Sequence, residues 1–256
     1  MALKKSIKYD QHFCADGALI KEMVRAAQLQ KEDIILEIGP GQGILTRELA
    51  KKVKKVMAVE IDQNLKPFLQ DLPSKVEVVW MDIMKFLQLE KDKKFNKIVA
   101  NIPYQICEPL LQYLCTASEI ELAVLTVPKK FAERAQEHPF ISAWLEFKKI
   151  RDVPPTSFLP PPKVWSALIV ITRNKKHDQR TMLLRQLFMQ RDKKLRNALR
   201  ESLIMVYSQN NKTLTKKKAG QMIEDLHIPE KALESLVVGL PNKFYQELFM
   251  KIKSEN

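Results

Sequence analysis

Cysteine is scarce. The 256 residues contain three, Cys14, Cys107 and Cys115, and no two of them stand in a C-x-x-C spacing. The four histidines, His12, His138, His177 and His227, are just as scattered. So odd and sparse a set supports neither a disulfide framework nor a zinc site, and no metal is expected. Long apolar runs are missing too. None approaches the ~20 residues needed to span a bilayer, and no long amphipathic helix sets aromatics opposite lysines, so no membrane partner is expected. The opening Met1-Ala2-Leu3-Lys4-Lys5-Ser6 lacks the apolar core and cleavage site of a signal peptide, and is too poor in arginine for a transit peptide. Internal repeats and low-complexity tracts are absent. These gaps lead to the expectation of a cytoplasmic protein with reduced thiols.

What is present is a globular composition with an excess of positive charge. Residues are 45% hydrophobic and 29% charged, and the length allows one large domain and a small one. Net charge is +13. From Lys175 onward 17 Lys and Arg face 9 Asp and Glu, against 26 and 21 before it, so the excess concentrates at the C-terminal end. A surplus of this size favours a polyanionic partner, and nucleic acid fits better than a membrane.

Along the chain, apolar strands alternate with helices, and the strand ends carry the chemistry. A polar and aromatic segment, Tyr9 to Cys14, precedes a helix expected over 18–28. The strand Asp33 to Ile38 runs directly into Gly39-Pro40-Gly41-Gln42-Gly43 and a second helix, a nucleotide-type binding unit in which glycines let the backbone approach a ligand. A strand from Lys55 ends at Glu60-Ile61-Asp62, where a carboxylate can accept hydrogen bonds from ribose hydroxyls. Another, Val76 to Met81, ends at Asp82-Ile83, an acid and an apolar residue suited to an adenine amine and its face. A fourth ends at Asn101-Ile102-Pro103-Tyr104. An amide oxygen and a backbone carbonyl there can accept both hydrogens of an exocyclic amine, and the tyrosine ring can stack on a base. Proline keeps this turn rigid. A fifth strand is expected over 121–127, a polar helix over 129–137, and a further strand over 163–172 after the stiff run from Pro154 to Pro162, which holds Phe158. The stretch between these, up to Val153, reads ambiguously. A boundary falls in the lysine-rich 174–178, giving domains 1–176 and 177–256, the second helical throughout. Arg191, Lys193, Lys194, Arg196 and Arg200 form a basic turn and helix start. Glycines with a strand-end acid would serve NAD as well as an adenosyl cofactor.

Taken together, Gln11-His12-Phe13, Glu37 to Gly43, Val59 to Asp62, Asp82-Ile83, Asn101 to Tyr104 and Phe158 to Val164 closely resemble the ribosomal RNA adenine N6-dimethyltransferases, in the family's order and over most of 11–171. The segments Pro128 to Arg134 and Phe188 to Leu199 are similar to the small-subunit branch of that family. Two positions depart from it, Cys14 for leucine and Trp165 for aspartate.

The resemblance implies a Rossmann-like α/β methyltransferase domain with a small C-terminal α-helical domain that binds rRNA. It implies S-adenosylmethionine as cofactor, held by Gln11, His12, Cys14, Gly39, Gly41, Glu60, Ile61, Asp82, Ile83 and Asn101. Asn101, Ile102, Pro103, Tyr104 and Phe158 are the implied catalytic residues. The RNA contacts are expected, from the basic cluster at a helix start, at Arg191, Lys193, Lys194, Arg196 and Arg200. The expected activity is N6,N6-dimethylation of adenosines near the 3′ end of small-subunit rRNA, performed by a monomer on a pre-ribosomal particle. The alternatives are a large-subunit rRNA methyltransferase conferring macrolide resistance and a non-catalytic RNA-binding assembly factor.

Overall fold

The computed structural model describes residues 11–89 and 94–252. Tyr9 and Asp10, expected in the segment before the first helix, lie outside them. The chain divides into two compact units, Met1–Gln136 with Leu145–Arg173, and Glu137–Trp144 with Asn174–Asn256.

The first unit begins with β1 (Phe13–Cys14), α1 (Gly17–Ala26), β2 (Ile34–Ile38), α2 (Ile44–Ala50), β3 (Lys55–Glu60), α3 (Lys66–Leu69) and β4 (Val76–Trp80). It continues through α4 (Ile83–Leu89), β5 (Lys97–Asn101), α5 (Cys107–Thr116), β6 (Leu122–Pro128) and α6 (Lys129–Glu137). One helix of the second unit, α7 (Pro139–Trp144), interrupts it before β7 (Leu145–Val153), β8 (Phe158–Leu159) and β9 (Ser166–Arg173) complete it. The ambiguous stretch therefore resolves into a short helix and an edge strand.

Seven strands form one sheet in the order β4-β3-β2-β5-β6-β9-β7. The first five run parallel, and β9 is antiparallel to both β6 and β7. This is the expected Rossmann-like architecture. Central parallel strands are covered on both faces, so they must be apolar throughout rather than alternating. Ile35, Leu36, Ile38, Ile98, Val99 and Ala100 are accordingly all buried. The chain steps outward from β2 to β3 and β4, then returns to the other side of β2 as β5. That reversal opens a crevice at the C-terminal ends of β2 and β5.

A separate two-stranded ladder joins β1 to β8, pairing Phe13 with Leu159 and Cys14 with Phe158. It is supported from α1, where Asp16 caps the helix by accepting from the Ala18 and Leu19 amides at 2.9 and 3.1 Å and also takes a hydrogen bond from Ser157 Oγ at 2.9 Å. These bonds hold the Asp16 carboxyl below the usual carboxylate range. The run from Pro154 to Pro162 is thus a tethered wall rather than a free loop.

The second unit contains α7, α8 (Gln179–Met189), α9 (Leu195–Gln209), α10 (Lys216–Asp225), α11 (Glu230–Leu233) and α12 (Asn242–Lys251). Its centre is aromatic. Tyr245 is 1% exposed, its ring 4.5 Å from that of Phe140, and its hydroxyl donates to the Val237 carbonyl at 2.6 Å. Arg185 Nε donates to the Ala143 carbonyl and Asn174 Nδ2 to that of Ser142, which ties α7 into this unit although it lies upstream of the boundary expected at 176/177.

At the edge of the main sheet opposite the crevice, Asp33 and Lys97 form an ion pair at 2.7 Å with side chains 6% and 7% exposed. Burial alone would raise the Asp33 pKa, but hydrogen bonds from Asn96, Lys97 and the Gln30 amide outweigh it and hold the carboxyl below its usual value. Breaking such a pair leaves an uncompensated buried charge, at a cost of ~3–5 kcal/mol. Asp33→Asn should sit near the lower figure, since Lys97 Nζ also donates to the Gln28 carbonyl. A depressed carboxylate contributes fully above its unfolded pKa of about 3.9 and loses that contribution as pH falls through the folded value. Urea denaturation should therefore show a wide gap between wild type and Asp33→Asn at pH 7 that narrows below about pH 4. Equal midpoints at pH 7 would refute the assignment.

Candidate active site

Four parallel strands deliver their C-terminal ends to one crevice. After β2 the backbone turns through Gly39, Gly41 and Gly43, with φ of 67°, 58° and 75°. At Gly41 two requirements coincide: a left-handed conformation, and a position where a Cβ would stand 2.8 Å from the Phe13 ring. Arg47 locks the turn from α2, its guanidinium donating to the carbonyls of Gln42, Gly43 and Phe68 at 2.9 to 3.0 Å.

Glu60 closes β3. Its Oε1 accepts from the Ile61 and Asp62 amides at 2.9 Å, and its Oε2 from the Gly41 amide at 3.3 Å. Burial pushes its pKa up, and these backbone donors offset part of the rise. Asp62 accepts from Gln11 Nε2 at 2.9 Å, which draws the N-terminal segment across the crevice. Beyond β4, Asp82 accepts from the Lys85 amide in the first turn of α4, and Ile83 is buried beside it.

At the end of β5, Asn101 Nδ2 donates to the His12 carbonyl at 2.9 Å. The amide nitrogen is committed, so its oxygen is the acceptor end. Tyr104 is held by its hydroxyl, 2.9 Å from Ser166 Oγ at the start of β9. His12 Nδ1 lies 2.7 Å from the Pro160 carbonyl. Phe158 is 4% exposed and belongs to the core packed around α1 as well as to the crevice wall, so its ring is more restrained than an isolated loop aromatic.

These groups surround a cavity of about 180 Å³. Every residue expected at the cofactor lines it, as do Asn101, Ile102, Pro103, Tyr104 and Phe158. The five basic residues lie in the second unit and are largely engaged there. Lys193 pairs with Glu201 at 2.5 Å, Lys194 with Glu234 at 2.7 Å, and Arg196 with Glu230 and Glu234. Arg200 donates to Asn197, and the Arg191 guanidinium sits 4.9 Å from the Phe188 ring centre. Among the described residues no cluster of His, Cys, Asp and Glu is placed to hold a metal ion, and no helix is long and apolar enough to cross a membrane.

Sequence reasoning passed over one lining residue of consequence, Glu37. It is 1% exposed on β2, and its Oε2 has no hydrogen-bond partner. Burial pushes its carboxyl up to about 8; the nearby Thr46 hydroxyl opposes this and the Glu60 charge adds to it. The available signal was an acid inside an otherwise apolar strand. Burial likewise lifts the Cys14 thiol to about 11, so it stays protonated at neutral pH.

The family model for ribosomal RNA adenine dimethylase matches residues 2–229. The chain belongs to this family. A probable ribosomal RNA small subunit methyltransferase A from Methanopyrus kandleri is 33% identical over 265 residues, covering 95% of this chain and 91% of that protein. Another, from Methanococcus maripaludis strain C6, is 36% identical over 219 residues, covering 78% and 82%. A dimethyladenosine transferase from Plasmodium falciparum superposes with a TM-score of 0.61 at 25% identity, covering 94% of this chain and 97% of that one. The 23S rRNA methyltransferase ErmE follows at 0.58 and 23%, covering 93% and 98%, a likeness of fold.

Methyltransferases of this family use S-adenosylmethionine, and the residues present fit it. The glycine turn lines the cavity with bare backbone at Gly39 and Gly41, and the Phe13 ring leaves no room for a Cβ at Gly41. Glu60 brings an acidic side chain to the cavity, and Glu37 a second that a nearby cation would help to ionise, for a molecule that is cationic at sulfur and at its amine.

A carboxyl raised from about 4.3 to about 8 keeps its proton longer folded than unfolded. Between those values the folded state binds more protons, so stability falls as pH rises. Glu37→Gln should remove that slope and gain up to a few kcal/mol on wild type at pH 8. Urea midpoints of the cofactor-free protein from pH 5 to 9 test this, and parallel profiles would show that Glu37 does not titrate there.

Proposed function

We propose that this member of the rRNA adenine dimethylase family methylates N6 of adenosines near the 3′ end of small-subunit rRNA, twice per adenosine, on a pre-ribosomal particle. The observation that carries the reading is the Asn101 amide, oriented by the His12 carbonyl, at the mouth of a glycine-walled cavity that Tyr104 also lines. The small-subunit branch is favoured because relatives matching most of the chain at 33–37% identity are named for that subunit. The enzyme acts as a monomer in the cytoplasm, with a catalytic domain over 1–176 and an rRNA-binding domain over 177–256.

When bound, S-adenosylmethionine supplies an electrophilic methyl group. Gly39 and Gly41 let the backbone pass its methionine part, and His12 and Cys14 line the same cavity. Glu60, held by the Ile61 and Asp62 amides, accepts from the ribose hydroxyls, Gln11 steadies this corner through Asp62, and Asp82 with Ile83 takes the adenine. The chain then works on the substrate amine, whose lone pair is delocalised into the base. Asn101 Oδ1 and the Ile102 carbonyl accept its two N–H groups, favouring a tetrahedral nitrogen aimed at the methyl. Pro103 keeps that carbonyl rigid. Tyr104 and Phe158 bracket the base, which must first leave its stack. An amide is no useful base, so the displaced proton goes to solvent after transfer.

Methyl incorporation from labelled cofactor into immature small subunits, compared with large-subunit RNA, tests the reading. Label only in the large-subunit RNA would reverse the branch, and label in neither would leave an assembly factor. Asn101→Ala should stay folded and bind cofactor while losing nearly all single-turnover transfer. A substantial rate in that variant would contradict the alignment of the amine.

The second unit contributes phosphate contacts through Arg191, Lys193, Lys194, Arg196 and Arg200. The present partners of Lys193, Lys194 and Arg196 are solvent-exposed carboxylates, weak competitors because water screens such pairs. With about three phosphate contacts the log–log salt dependence of RNA binding has a slope of roughly −2 to −3. Replacing Arg191, Lys193 and Lys194 with Gln should weaken binding and flatten that slope without changing cofactor affinity. Overlapping salt series would remove these residues from the interface.

A further inference from the structure

Three exposed apolar side chains fall within seven positions of the first unit: Leu159 at 67%, Val164 at 47% and Trp165 at 54% exposed. The arc they occupy is fastened to the cavity at both ends. Its first anchor is Phe158, which lines the cavity and pairs through β8 with Cys14 of β1. Its second is Ser166, whose hydroxyl is bonded to that of Tyr104. The Trp165 carbonyl accepts from the Lys129 amide at 3.0 Å, which fixes its backbone at the end of β6, two positions past Val127. The arc therefore stands on the same sheet edge as Asn101, which is paired across from Thr126.

Lysines outnumber acids around it, with Asp152 and Glu133 the carboxylates that act on Lys129. Lys163 lies within the arc and Lys130 beside its anchor, both exposed. Lys129 and Lys149 share the single carboxylate of Asp152. An exposed indole on an anchored backbone, with lysines nearby, suits a partner that presents a flat apolar face on an anionic backbone, which is single-stranded nucleic acid.

We infer that Trp165, flanked by Leu159 and Val164, is a stacking platform for the RNA base next to the adenine in the cavity. This rests on the reading of the cavity given above. Drawing one adenine out of its stack leaves its neighbour with an uncovered face, and the indole offers the largest side-chain surface to cover it. The lysines position the adjoining phosphates without reading sequence. The platform accordingly accepts any base.

The test uses the full chain and a hairpin RNA with adjacent adenosines in its loop, made with either an ordinary or an abasic nucleotide flanking the target. Trp165→Ala should weaken binding of the ordinary RNA about 5- to 100-fold, and Trp165→Phe by less. Wild type should bind the abasic RNA as weakly as Trp165→Ala does, and the variant should suffer no further loss on it. Indole emission should be quenched by RNA in wild type, with the quench reduced in Trp165→Phe. Equal affinities of wild type and Trp165→Ala would overturn the platform, as would a Trp165→Ala loss of the same size on abasic and ordinary RNA. Methyl incorporation in the same samples separates the two ideas. Normal transfer with unaffected Trp165 variants sinks the platform alone. Base-dependent binding through Trp165 without any transfer supports the platform and sinks the chemistry.

Discussion

A parallel sheet buried on both faces can meet a ligand only at its rim, and everything about this site follows from that constraint. Strands β2, β3, β4 and β5 all point one way, so the ends of four apolar runs converge at a single edge. Glu37 and Lys97 are buried within these strands, and other polar groups gather at the edge. The reversal of strand order beside β2 then opens the rim into a crevice. One cross-link closes it: Asn101 Nδ2 on the His12 carbonyl ties the last of these strand ends to the segment before α1. The same bond sets the amide's orientation, leaving its oxygen as the acceptor end.

Most of this was legible from the sequence because it is local. A strand running into Gly39-Pro40-Gly41, or ending at Glu60, Asp82 or Asn101, announces its chemistry within a few residues. What was not legible is non-local. Nothing in Phe13-Cys14 signals pairing with Phe158-Leu159, and the proline-rich run was read as a loop when it is a wall. Pro139 to Trp144 has an apolar pattern too short to distinguish helix from strand, and its membership in the second unit depends on Arg185 and Asn174, far along the chain. Glu37 was quoted as part of a motif but not read as a charge, because the burial that raises its pKa is a property of the folded sheet.

The basic cluster of the second unit shows the opposite limit. Its charges were countable, but their partners were not. Glu201, Glu230 and Glu234 neutralise three of the five cations at the surface, so formal net charge overstates the field available to a distant phosphate. Such pairs give cations that are pre-positioned yet exchangeable, suited to contacts made at close range. The other two are held differently, Arg191 against the Phe188 ring and Arg200 by the Asn197 side chain.

The ladder between β1 and β8 joins residues near the two ends of the first unit. Long-range contacts of this kind form late, because the intervening chain must be ordered before they close. During synthesis the glycine turn and the ends of β3, β4 and β5 all emerge well before Phe158, so the crevice spends that interval as an open trough without its far wall. The crevice is therefore a cavity with all its walls only once nearly the whole of the first unit has been made, so its shape is a property of the finished unit and of no shorter segment.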